Sequence, residues 1–89
     1  MESYRRKRDV RFRIIDREAV VLRQDAGETL VLNEVGARML QLIDDGAALN
    51  DVARSIAAEY DIEAAEAEHD TRQFAGQLVA AGILEAEQL

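Results

Sequence analysis

The one histidine, His69, sits between Glu68 and Asp70. As a metal ligand it has no partner: there is no second histidine, no cysteine and no His-x-x-x-His spacing. The only serines are Ser3 and Ser55, and Ser55 falls mid-helix with no His or Lys close in sequence. Neither has the neighbouring base that activates a hydroxyl nucleophile. The carboxylates are plentiful but read as a solvated face rather than a converging acid–base pair. Five isolated glycines make no phosphate-cradling loop. An acyl carrier would need a serine at a helix start in an Asp-Ser-Leu setting, which is missing. The residues therefore imply no enzyme, no metal site and no cofactor, and they turn attention to binding.

Charge narrows what can be bound. Residues 1–23 carry eight Lys/Arg and four Asp/Glu, a balance of +4; residues 24–89 carry three and fourteen, a balance of −11; together they give −7. A body that acidic repels phosphate backbones, whose binding depends on Lys and Arg. Between Glu59 and Asp70 there are six acidic residues and no basic one. Gln73 and Gln77 could read base edges, but only Arg72 stands near them to hold a phosphate. The reading argues against nucleic acid. No apolar run is long enough to span a bilayer and no secretory h-region follows the basic start, so no membrane role is expected. Absence of cysteine fits a reducing compartment, and the chain reads as cytoplasmic. Residues 1–9, with Arg5-Arg6-Lys7-Arg8, read as a flexible basic tail. Residues 10–89 read as one small domain.

The elements that must position any binding surface meet at Thr29-Leu30-Val31-Leu32-Asn33-Glu34-Val35-Gly36-Ala37. Apolar, β-tolerant residues lead to Asn33, whose side chain suits a helix N-cap. Beyond it, Gly36, Met39, Leu40 and Ile43 recur at helical spacing. Upstream, Val10-Arg11-Phe12-Arg13-Ile14 alternates as a half-buried strand does, and Ala19 to Arg23 is a second strand candidate. Gly27 lies in the turn before the third strand, Thr29 to Asn33. Downstream, helices are predicted over about Glu34–Asp44 with Gly46 as C-cap, about Asn50–Tyr60 with Asn50 as cap, and about Glu63–Ala81 ended by Gly82. Ile83 and Leu84 then return to the core. Three short strands followed by three helices predict an α+β domain of winged helix-turn-helix-like type.

From about Phe12 to Leu84 the chain resembles the PqqD-like family, also called the RiPP recognition element. The resemblance rests on Leu32-Asn33 with Gly36-Ala37, on Met39-Leu40 and Leu42, and on Asp45-Gly46. Val52-Ala53, Ile56-Ala57 and Tyr60 continue it, and Asp70, Phe74, Leu78 and Gly82-Ile83-Leu84 complete it. The chain departs from the pattern at Ala48, where Thr often opens the second helix, and at Ala75, where a longer apolar residue is common. What the resemblance implies is a noncatalytic chaperone that binds the leader of a ribosomally made precursor peptide. The leader adds antiparallel to the third strand, in a cleft against the third helix. It is then presented to a modifying enzyme, often a radical SAM protein, in pyrroloquinoline quinone (PQQ) or related biosynthesis.

Strand addition supplies affinity through main-chain hydrogen bonds and specificity through pockets for alternate side chains. Thr29, Leu30, Val31 and Leu32 are the expected strand edge. Stepping 100° per residue from a core-facing Phe74 places Thr71, Arg72, Ala75 and Val79 on one flank, the expected peptide-facing wall. Gln73, Gln77 and Ala80 fall on the other, read as solvated. An open apolar edge also invites a second copy, so a monomer and a strand-swapped homodimer are both compatible with the sequence. An adaptor of the same fold without leader binding, and a DNA-binding winged helix, are the alternatives.

Overall fold

The structure, a computed structural model, describes residues 2–87. The tail read over 1–9 and the domain read over 10–89 reach past these limits at Met1 and at residues 88–89, which lie outside the described residues. In chain order the elements are β1 (Tyr4–Arg6), β2 (Val10–Ile15), β3 (Glu18–Arg23), β4 (Glu28–Leu32), α1 (Glu34–Asp44), α2 (Leu49–Tyr60), α3 (Ala64–Ala80) and β5 (Leu84–Ala86). The three strands and three helices read from the sequence are β2–β4 and α1–α3, in a mixed α+β arrangement. The third strand of the sequence reading is thus β4.

Two further strands were not expected. β1 pairs antiparallel with β5, with Tyr4 opposite Ala86 and Arg6 opposite Leu84. Around this pair, the Lys7 amide donates to the Ile83 carbonyl (3.0 Å) and the Glu87 amide to the Ser3 carbonyl (2.9 Å). Part of the segment read as a frayed tail is therefore a strand. Neither Tyr-Arg-Arg nor Leu-Glu-Ala has a period of its own; pairing between distant segments makes them strands.

β2, β3 and β4 form an antiparallel sheet in that order. The register fixes its faces. Val10, Phe12, Ile14, Ala19, Val21, Arg23, Glu28, Leu30 and Leu32 share the inner face, and the residues between them share the outer one. The core takes Val10, Ala19 and Val21 from the inner face, with Phe12 and Leu32 packed beside them. Met39, Leu40 and Ile43 of α1 close onto this face, and Leu49, Val52 and Ile56 of α2 join the same core from beside α1 and α3, the stripes that their periodicity predicts. Each such side chain, fully buried, contributes about 1.5–3 kcal/mol.

The helix ends are legible residue by residue. Asn33 accepts a hydrogen bond from the Gly36 amide (2.9 Å), the cap expected of it. Gly46 and Gly82 take φ of +99° and +79° after α1 and α3, which a β-carbon would disfavour. In each case the next amide folds back, Ala47 to the Leu42 carbonyl and Ile83 to that of Leu78. Asn50 does not cap α2. Ala48 and Leu49 are buried, so the helix begins at Leu49 and Asn50 lies inside it. The Leu49 amide is satisfied instead by the Glu2 carbonyl at 2.9 Å.

Candidate functional site

β4 is one edge of its sheet, and its outer edge pairs with no strand among the described residues. Of its residues, Leu30 and Val31 are 38% and 57% exposed, high values for apolar side chains in a strand. Leu30 and Leu32 point to the inner face; Thr29 and Val31 point to the outer one with Leu22 and Val20. The four residues expected to supply the edge do lie along it.

Across from this edge stands α3. It packs on α2 and β5 and leaves a gap to β4, open at two hollows. One, of about 200 Å³, is lined by Val21, Arg23, Glu28, Thr29 and Leu30 on the sheet side and by Ala81 and Ile83 after the helix. The other, of about 360 Å³, lies where β4 meets α1 and involves Asn33, Gly36, Gln73, Phe74 and Gln77. From Ala81 back to Phe74 the helix rises about 10 Å, and Leu30 to Asn33 spans about the same, so the hollows, which share no lining residue, lie in line as the lower and upper parts of an interrupted cleft. Gly36 is what lets Phe74 close the cleft's upper end. A β-carbon there would come within 3.3 Å of the Phe74 Cε1 and 3.4 Å of the Leu32 Cβ.

The wall of this cleft is not the flank read from the sequence. Thr71 and Ala75 are 1% and 0% exposed and belong to the buried stripe Ala67–Thr71–Ala75–Leu78. Arg72 is exposed but held by Glu2, and its Nε stands 3.6 Å from Glu68. The hydrogen bond to Glu2 raises the Arg72 pKa. Val79 is 40% exposed, yet neither it, Arg72 nor Ala75 lines either hollow. The reason is helix phase. Phe74 is a half-buried margin of the core, not its centre, and the core centres nearer Thr71. The flank that faces the hollows therefore carries Asp70, Gln73 and Gln77, with Ala81 just past the helix. Sequence reasoning passed over Gln73 and Gln77 as solvated. The signal that could have found them is the Ala67–Thr71–Ala75–Leu78 spacing, itself a helical stripe of small residues.

The lower hollow carries the cleft's charge. Arg23 reaches Glu28, its cross-strand neighbour, and its Nε is buried without a hydrogen-bond partner among the described residues. Its guanidinium lies against Gly82, where a β-carbon would fall 2.9 Å from Nη2. The other ion pairs are structural. Arg38 on α1 grips Glu59 on α2 through two hydrogen bonds of 2.8 and 3.0 Å, which draw the Glu59 carboxyl below its ordinary value and raise Arg38. Burial raises the Tyr60 phenol, and the nearby Glu34 carboxylate adds to this. Among the described residues no three His, Asp or Glu gather as a metal site, and no helix is long and apolar enough to cross a membrane.

An open strand edge facing a helix across a cleft defines a small peptide-recognition type of domain. Residues 18–84 match the family of coenzyme PQQ synthesis protein D (PqqD), and the chain belongs to that family. Two solved structures share its fold throughout. TbiB1, solved in complex with the TbiA(beta) leader peptide, is 28% identical, with a TM-score of 0.88 over 96% of this chain and 99% of that one. A lasso peptide synthetase B1 complexed with its leader peptide is 28% identical, with a TM-score of 0.86 over 93% and 98%. No curated protein sequence matches the chain.

Proposed function

We propose that this chain binds the leader of a ribosomally synthesised precursor peptide and holds it for a modifying enzyme. The observation that carries the reading is the unpaired apolar edge of β4, faced by α3 across a cleft. A peptide laid along that edge gains main-chain hydrogen bonds from β4. Its alternate side chains enter the cleft, one near Leu30 and Ala81, the other near Phe74 and Gln77. The remaining side chains face outward beside Thr29 and Val31. Thr29–Leu32 act as the edge; Gln73, Phe74, Gln77 and Ala81 replace Thr71, Arg72, Ala75 and Val79 as the wall.

The role is noncatalytic and cytoplasmic, and residues 2–87, with β1 paired to β5, act as one recognition domain. Near-complete overlap with two B1 proteins solved with their leaders supports a lasso-type precursor. A radical SAM enzyme is the partner if the precursor is of PQQ type. The working state is a monomer, because a dimer through β4 would occupy the edge that the peptide needs.

The test is a titration of the isotope-labelled protein with the short peptide encoded beside its gene, followed by NMR. Amide shifts should concentrate in Glu28–Leu32 and Gln73–Ala81. Shifts confined to other elements would overturn the site, and saturating peptide without any shift would overturn the function.

A further inference from the structure

The Lys and Arg side chains divide into two groups. Arg5, Arg6, Arg23, Arg38, Arg54 and Arg72 each reach a carboxylate. The other five, Lys7, Arg8, Arg11, Arg13 and Arg17, make no ion pair among the described residues, although the chain carries 18 Asp and Glu. All five lie in β2 or beside its ends. Residues 7–18 hold these five cations against Asp9, Asp16 and Glu18, a local positive balance in a chain whose overall balance is −7.

Arg11 and Arg13 stand on the outer face of the sheet, opposite Leu22 and Val20, whose other neighbours are Thr29 and Val31. The face they border is apolar and uncovered. Ile15, Leu22 and Val31 are 49%, 37% and 57% exposed, and a shallow hollow of about 590 Å³ opens among Arg11, Arg13, Ile15, Val20 and Leu22. The Arg11 guanidinium donates to the Arg8 and Val10 carbonyls, which holds it over the strand, and the Arg13 guanidinium has no hydrogen bond within the described chain. Arginines along an edge strand ordinarily guard against strand pairing. These two project from the face instead and border a hollow that a guard has no need of.

We propose that this outer face docks a protein partner whose surface has an apolar centre bordered by carboxylates. That partner is the enzyme which modifies the bound peptide; its identity, though not the surface, rests on the function proposed above. The apolar centre favours a protein over a nucleic acid, whose backbone the acidic body would repel. The same geometry would couple docking to peptide binding. A strand added to β4 extends the same outer face, so its outward side chains lie beside Val31, within reach of whatever covers Leu22 and Val20.

The test uses the full chain and, as probe, the modifying enzyme encoded beside its gene, with affinities measured by calorimetry. Arg11→Glu/Arg13→Glu should weaken enzyme binding by about tenfold or more and flatten its salt dependence. Leu22→Glu should weaken it too. Leader affinity should stay within about twofold in every variant, since complementary charge acts only on the docked face. Arg13→Glu alone removes no internal hydrogen bond, so it reports on docking even if the double variant folds poorly. Failure of the unsubstituted chain to bind the enzyme, or unchanged enzyme affinity in the variants, overturns the proposal. Binding to phosphatidylglycerol vesicles or to a single-stranded RNA that the substitutions abolish, with enzyme affinity intact, overturns it as well. Enzyme docking that persists where the leader fails to bind would sink the peptide reading and leave the docking face standing.

Discussion

The two long flanks of α3 are built from similar residues and do opposite work. One carries Ala67, Thr71 and Ala75, closed against the core with at most 1% exposure. The other carries Gln73, Gln77 and, just past the helix, Ala81, and it faces the cleft beside β4. Small residues on the closed flank draw the helix tight onto α2 and the core. Small and polar residues on the open flank leave it apart from the strand. The distance between β4 and α3 is thus set from the far side of the helix, and the lower hollow persists because Ala81 is too small to fill it.

Ala75→Trp breaks this comparison most violently. The closed flank has no room for an indole, and overpacking a core costs about 1–3 kcal/mol or more. For a domain of this size that lowers Tm by about 10 °C or more. A thermal melt checks it, and an unchanged transition would show that Ala75 faces open space. On the open flank the same side chain should act differently. Ala81→Trp should leave Tm within a few degrees while filling the lower hollow, and leader affinity should drop by at least about tenfold, roughly 1.4 kcal/mol. Retained affinity by fluorescence anisotropy would move the cleft elsewhere.

How legible this was depended on contrast between residue types. The turn from β4 into α1 stands out because an apolar strand, an Asn cap and a helical stripe follow one another without ambiguity. α1 and α2 pair large buried residues with charged exposed ones, so their faces are fixed by periodicity. α3 is rich in alanine, which is as much at home in a core as on a surface. With so little contrast, Phe74 stands out as the largest apolar residue and draws the inferred core toward itself. The actual core centres about 60° away, nearer Thr71, where an exchange of a few methyl groups would hardly change the pattern. That rotation alone moves the groove from Ala75 and Val79 to Gln73 and Gln77. β1 and β5 were beyond reach for another reason: their pairing joins the two ends of the chain, and nothing local encodes it.

Smaller substitutions sharpen the difference between frame and cleft. Asn33→Ala removes the hydrogen bond to the Gly36 amide at the cleft's upper end. It should cost about 1 kcal/mol of stability by chemical denaturation. Leader affinity should fall several-fold as Gly36 and Phe74 lose their fixed spacing. Thr71→Val works in the opposite direction. The Thr71 hydroxyl is buried with no hydrogen-bond partner among the described residues. Replacing an unsatisfied buried polar group by an apolar one of the same shape should be neutral or stabilise by up to about 1 kcal/mol. Affinity should not move, and a loss of peptide binding in this variant would return Thr71 to the groove wall.

The smallest effect tests whether the frame can be loosened without touching the cleft. Glu59 is drawn below its ordinary value of 4.5, first by its hydrogen bond to Arg38. A carboxyl whose folded-state pKa is depressed contributes stability that is fully present above the unfolded value and is lost as pH falls through the folded one. Both side chains are about a third exposed or more, so water screens the pair and its contribution is at most about 1 kcal/mol. Glu59→Gln should therefore be slightly less stable than the unsubstituted chain at pH 7. The gap should narrow as pH falls from 4.5 downward and vanish once Glu59 is protonated in both states. Denaturation curves at a series of pH values check this; a gap that stays constant would mean that the pair's charge is not what Glu59 supplies. Leader affinity at pH 7 should be the same in both proteins, because Arg38 and Glu59 join α1 to α2 and neither borders the gap between β4 and α3.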